Sequence, residues 1–297
     1  MNKFIKQFVL EKYGVDVNNC TSSDLEKVDI ISVRDCSDDY FGYMSAGIPY
    51  PKELKIWDFS DFPNLKELDC SYNTIEELCV SKNNNLESIC WEGVRGSLKA
   101  LDLSSNIKLK KIEGGQDGLI EIDLSANTLL EEVYIRLSSD LRWINLDNCI
   151  NLKRISLWGC QIPFVDLTHC PNLEYVNIHY LNYFTRNRND YGPGYPRPIV
   201  FVNQDFDETV IDEETRDKAY YCYYLVSVSP NSHEEEILNK WKRRKSWFTS
   251  IPTIPSEIAR VHYSLLKELD PPEPPKAFGG DYRKYSTNIM DSDDLPF

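Results

Sequence analysis

Apolar residues recur along the middle of this chain with a period of 21 to 23 positions. Units begin at Leu54, Ile75, Leu98, Leu119, Leu141 and Ile162. Their first, fourth and sixth positions hold Leu54, Trp57 and Phe59, then Ile75, Leu78 and Val80, then Leu98, Leu101 and Leu103. The same positions hold Leu119, Ile122 and Leu124, then Leu141, Ile144 and Leu146, then Ile162, Val165 and Leu167. All 18 are apolar in a chain that is 41% hydrophobic, where chance would fill about seven. Alternation over positions 4 and 6 predicts a short strand with those side chains on one side and positions 3 and 5 on the other. One such strand cannot bury its apolar side alone, so a fixed period of this length predicts a stack of coils, a solenoid.

A second apolar series runs through the same units, at Leu65, Leu86, Leu109, Leu130, Leu152 and Leu173, and three residues further on at Leu68, Ile89, Ile112, Val133, Ile155 and Val176. The return leg of each coil is therefore also expected to be a short strand, not a long helix, giving a slim coil with two parallel sheets. Position 9 reads Phe62, Asn83, Asn106, Asn127, Cys149 and Cys170. An Asn there can bond the backbone where the chain leaves the strand, and stacked copies would form a ladder.

The pattern L-x-x-L-x-L-x-x-(Asn/Cys), repeated six times over about 130 residues, resembles the leucine-rich repeat family. Phe62 departs from it, as suits an atypical first repeat. The resemblance implies a solenoid of mostly short parallel β-strands with a concave binding face. The Asn/Cys-bearing series is assigned to that face, although the two series are alike enough for the faces to be exchanged.

The flanks read differently. Residues 1–53 are expected to form an N-terminal cap, with a helix over residues 2–13 stopped by Gly14 and a strand over residues 29–33. Residues 54–182 hold the repeats. Residues 183–269 are read as an α/β C-terminal cap. It opens on a Pro/Gly/Arg-rich loop, continues with a strand at residues 199–202, and holds helices near 233–248 and 256–269. Residues 212–228 suit either a helix or a strand. Residues 270–297, starting DPPEPPKAFGG, are read as a tether with an acidic tail that has too little apolar material to fold alone.

Charge narrows the function classes. The net charge of −14 argues against general binding to nucleic acid or anionic membranes. No apolar run is long enough to span a bilayer, and the opening MNKFIKQFVLEKYG does not read as a secretory signal. Nine cysteines without a paired framework suggest reduced thiols, and so a cytoplasmic setting. Cys149, Cys160 and Cys170 are read as small buried apolar residues.

Four features could carry chemistry. Position 5 of the units reads Asp58, Cys79, Asp102, Asp123, Asn145 and Asp166, with Trp143 and Phe164 beside it at position 3. Adjacent coils would bring Asp102 and Asp123 to within about 4.8 Å of strand spacing. They must then be bonded by neighbours, screened or met by a basic partner. The stripe is either a structural Asp/Ser ladder or a partner-binding surface. The KWKRRK segment at residues 240–245 is a basic cluster that reads more readily as a solvated helix face than as a nucleic-acid patch. The histidines, His169, His179, His233 and His262, show no metal-ligand spacing with Cys or Asp, and no phosphate loop or nucleophile motif is present. No enzyme, metal or cofactor is expected.

The fourth feature is the last seven residues. Asp291, Asp293, Asp294, Leu295, Pro296 and Phe297 resemble the acidic C-terminal tip of bacterial single-stranded-DNA-binding proteins. In that family the tip docks on repair, recombination and replication proteins. The resemblance implies docking through Phe297 and its carboxylate, with the three Asp on a basic rim. It brings no DNA-binding barrel with it. The expectation is a bacterial, cytoplasmic, non-enzymatic interaction protein that recruits genome-maintenance proteins through this tail. The alternative is an acidic inhibitor or immunity-type protein that neutralises a basic partner with the concave face.

Overall fold

A computed structural model of the protein describes residues 3–33, 56–94, 98–138, 140–160, 162, 164–178, 199–211, 224–231, 235–236 and 238–239. The chain begins with helix α1 (Lys3–Tyr13). Gly14 ends it in the left-handed region, at φ +68°, and its N–H returns to the Leu10 carbonyl at 2.9 Å, a helix stop that glycine adopts without a Cβ penalty. Ile5 and Val9 point from α1 into the core and are fully buried. A single-turn helix α2 (Ser22–Leu25) follows, and then β1 (Ile30–Ser32).

The repeats form a coil with two strand-bearing legs. The first leg carries β2 (Ile56–Asp58), β4 (Glu77–Cys79), β7 (Glu121–Asp123), β9 (Trp143–Asn145) and β11 (Phe164–Asp166). The second carries β3 (Glu67–Asp69), β5 (Ser88–Cys90), β6 (Lys111–Gly115), β8 (Glu132–Arg136), β10 (Arg154–Ser156) and β12 (Tyr175–Asn177). All neighbouring strands are parallel. The second leg makes one continuous seven-stranded sheet in the order β1-β3-β5-β6-β8-β10-β12. Its register aligns Ile31, Leu68, Ile89, Ile112, Val133, Ile155 and Val176. The six repeat residues in that row are the second apolar series of the sequence.

The first leg is less regular. It makes pairs β2-β4 and β7-β9 and a three-stranded sheet with β11, and residues 98–102 in the third coil form no strand. Thus the unbroken sheet belongs to the series without the Asn/Cys column.

Between the two legs lies one core. Trp57, Leu78, Leu101, Ile122, Ile144 and Val165 are each at most 8% exposed, and Leu68, Ile89, Ile112, Val133, Ile155 and Val176 at most 3%. Trp91 is fully buried and shapes the sheet locally. A Cβ on Gly114 would lie 2.2 Å from its ring, so only glycine leaves room there. Its Nε1 donates to Asp117 Oδ2 at 2.9 Å.

The coil also runs past the sixth repeat. Strand β13 (Ile199–Asn203) pairs with β11, and β14 (Tyr224–Val228) pairs with β13. Val200 sits opposite Val165, and Ile211 forms a parallel bridge to Val176. The step from Val165 to Val176 is 11 residues, as is the step from Val200 to Ile211, so residues 199–211 trace a further coil in the same register. Residues 224–228, which suited either structure, are strand. Of the basic segment, residues 240–245, and of the tether and tail, residues 270–297, everything lies outside the described residues, as does the helix expected over 256–269.

Candidate interaction faces of the solenoid

Each coil is held to the next by bonds that the repeat residues supply. Asn83 Nδ2 donates to the carbonyls of Phe59 (3.0 Å) and Phe62 (2.8 Å). Asn106 Nδ2 reaches Val80 (3.0 Å) and Asn83 (2.9 Å), and Asn127 Nδ2 reaches Leu103 and Asn106, both at 3.0 Å. All three side chains are fully buried, so each amide satisfies two carbonyls that water cannot reach. Cys149 continues the column with its thiol 3.5 Å from the Leu124 carbonyl. Burial pushes that thiol up to about 12, with Asp147 and Asp123 adding to the effect. Burial likewise holds Cys160 up at about 12, so these thiols are protonated packing groups.

A second, exposed column ties the turns together: Asn85 to the Pro63 carbonyl at 3.2 Å, Asn151 to Thr128 and Asn172 to Ile150, both at 2.8 Å.

On the first leg, the position-5 side chains fold back onto their own turns. Asp58 accepts from Ser60 N–H at 2.8 Å, Asp102 from Ser104 N–H at 2.9 Å, and Asp123 from Ser125 N–H at 3.0 Å. Asn145 accepts from Asp147 N–H at 3.0 Å and Asp166 from Thr168 N–H at 2.9 Å. Asn145 also donates Nδ2 to Asp123 Oδ1 at 2.9 Å, bridging two coils. The Ser104 hydroxyl and N–H hold the Asp102 carboxyl below the usual range, and Ser60 does the same for Asp58. The repulsion between neighbouring carboxylates is therefore opposed by one donor set per coil. Asp58, Asp102 and Asp123 remain exposed, Asn145 is half-buried, and Asp166 is buried. Trp143 is only 7% exposed, so it offers little open surface beside the stripe. The side chain of Phe164 lies outside the described residues.

The outward face of the second leg has another character. Lys66, Glu87, Lys110, Glu131, Lys153 and Glu174 follow one another along the stack, alternating in sign. Lys110 Nζ lies 2.6 Å from Glu87, and Lys153 Nζ lies 2.7 Å from Glu131. In the next column Arg154 spans Glu132 at 2.6 Å and Glu174 at 3.1 Å. Arg136 stacks with its guanidinium carbon 5.2 Å from the centre of the Tyr134 ring. The sequence held the signal for this ladder, but only when the residue after each second-leg leucine is read down the repeats.

One grouping escaped linear reading. Ligating atoms of Asp147, Asp166 and His169 all lie within 4.8 Å of one another. His169 shows no metal spacing along the chain, yet the coil brings it to a carboxylate of the previous repeat.

These coils define a parallel β-solenoid. No family model and no curated protein matches the chain. Among solved structures, the chain is similar to the functional domain of InlJ from Listeria monocytogenes, which includes a cysteine ladder. The two are 27% identical with a TM-score of 0.40, over 41% of this chain and 27% of that one. It is also similar to internalin C2 from Listeria monocytogenes, at 14% identity and a TM-score of 0.28, over 58% of this chain and 91% of that one. The chain thus spans about a quarter of the InlJ domain, and the fold assignment rests on the coil geometry itself. Among the described residues no helix is long and apolar enough to cross a membrane.

Proposed function

We propose that the protein is a non-enzymatic interaction scaffold whose first-leg face binds a basic protein partner. The observation that carries this reading is the asymmetry of charge between the legs. Positions 3 and 5 of the six first-leg units hold Asp58, Glu77, Asp102, Glu121, Asp123 and Asp166 and no Lys or Arg, whereas the second-leg face pairs its own charges. Asp58, Asp102, Asp123 and Asn145 form the contact row, with Asp166 at its buried end. A row of exposed carboxylates at coil spacing attracts cationic side chains and accelerates encounter. Replacing Asp102 and Asp123 by Asn should slow association with a short polylysine peptide and flatten its salt dependence. A drop in stability of several kcal/mol with binding unchanged would assign the row to structure alone.

A second contact is supported by the sequence of residues 291–297. Their likeness to the tip of single-stranded-DNA-binding proteins supports docking on repair, recombination or replication proteins that accept such tips, in a cytoplasmic bacterial setting. Phe297 would fill an apolar pocket, worth roughly 1.5–3 kcal/mol, and Asp291, Asp293 and Asp294 would meet a basic rim. The test is titration of such a repair protein with the intact chain, a chain lacking residues 291–297, and one extended past Phe297. Tight binding by the intact form only supports docking. Equal behaviour of all three leaves the immunity-type reading, in which the acidic face alone acts.

A further inference from the structure

The group at the junction of the fifth and sixth coils has the makings of a metal site. Asp147 closes the turn after β9, Asp166 ends β11, and His169 follows three residues on. Their ligating atoms come within 4.8 Å of one another. Donors about 2.1 Å from a tetrahedral ion sit roughly 3.4 Å apart, so closure asks for a shift of about an ångström. His169 is exposed and Asp147 is half-buried, while Asp166 is 8% exposed. Asp166 is also the anchored member, since its Oδ1 accepts from the Thr168 N–H at 2.9 Å and from the Thr168 hydroxyl at 2.5 Å. The exposed imidazole gives an ion a path in from water.

The donor set decides the class of ion. Two carboxylate oxygens and one imidazole nitrogen suit a borderline divalent metal such as Zn²⁺, Co²⁺ or Mn²⁺, and an all-oxygen set would be needed to favour Ca²⁺ or Mg²⁺. The thiols of Cys149 and Cys170 are buried packing groups and stand outside the donor set.

We infer that Asp147, Asp166 and His169 form a binding site for a divalent transition metal that clasps the fifth coil to the sixth. The inference is independent of the partner-binding reading, because it is tested with the metal alone. The site would hold three protein ligands and leave positions open to water. One anchored carboxylate with donors that still have to close around the ion makes it a site of modest affinity.

The experiment is titration of the full chain with Co²⁺, followed by calorimetry and by visible absorption. One ion per chain should bind, with ligand-field bands of low-symmetry Co²⁺, and the thermal midpoint should rise. His169→Ala and Asp147→Asn should each weaken binding by about tenfold or more. Asp61→Asn is the control, because Asp61 is exposed and occupies in the first repeat the coil position of His169 in the sixth; it should leave binding unchanged. Zn²⁺ should displace Co²⁺, and Mg²⁺ should not. The assignment fails if no saturable binding appears, if the control weakens binding as much as His169→Ala, or if thiolate-to-metal charge-transfer absorption shows cysteine ligation.

Discussion

The two legs of the coil solve the same stacking problem with opposite surfaces. On the second leg, neighbouring strands bring Lys110 onto Glu87 and Lys153 onto Glu131, so the face cancels its own charge. On the first leg, position 5 carries Asp58, Asp102, Asp123 and Asp166 with no cation in the column, and each carboxylate is bonded to its own turn. The first solution spends its charges on holding coils together. The second satisfies one oxygen of each carboxylate locally and leaves the row net negative toward solvent. A face that already pairs its charges has little electrostatic attraction left for a partner, whereas an unbalanced row keeps its field.

The largest effect should come from breaking what both legs share. Ile122 is 1% exposed, in the middle of the core. Ile122→Asp buries a charge without a partner, at a cost of several kcal/mol. Because each coil leans on its neighbours, the loss should spread along the stack. Thermal unfolding should show a large fall in midpoint with loss of adjacent coils. An unchanged midpoint would contradict the stacking account.

A smaller effect should follow from removing one rung of the buried ladder. Asn106→Ala deletes two bonds, to the Val80 and Asn83 carbonyls, and leaves both buried. The expected cost is about 1–3 kcal/mol, read by chemical denaturation. Asn85→Ala, in the exposed column, should cost less, because water replaces the lost partner.

The smallest effect concerns the second-leg charges. Lys110 and Lys153 hold Glu87 and Glu131 below the usual carboxylate range. A carboxylate with a depressed pKa in the folded chain contributes stability at pH values above its ordinary range. That stability is lost as pH falls through the folded value. Glu87→Gln with Glu131→Gln should therefore lower the midpoint slightly at neutral pH and not at strongly acid pH. High salt should shrink the difference, since these pairs are exposed.

Much of this architecture was legible in the residues. The second apolar series at Leu68, Ile89, Ile112, Val133, Ile155 and Val176 is the register row of the long sheet, and the Asn column does bond the backbone of the preceding coil. Period and residue type suffice there because burial and an unsatisfied carbonyl act locally. Three things were not legible. The coil at residues 199–211 is separated from the sixth repeat by an interruption that breaks the period, although the 11-residue step between its two legs survives. Trp143 sits at an outward position of the strand pattern yet is 7% exposed, which the pattern of one repeat does not encode. Asp147 meets His169 across a coil boundary, and no spacing within one repeat encodes that approach.

The claim that the two legs differ as binding surfaces is tested most directly by amide NMR during titration with a short polylysine peptide. The account predicts salt-sensitive shifts at Ser60, Ser104 and Ser125, whose N–H groups are bonded to the first-leg carboxylates, with Lys110, Glu131 and Lys153 unmoved. Shifts of equal size on both legs, or confined to the second, would contradict it.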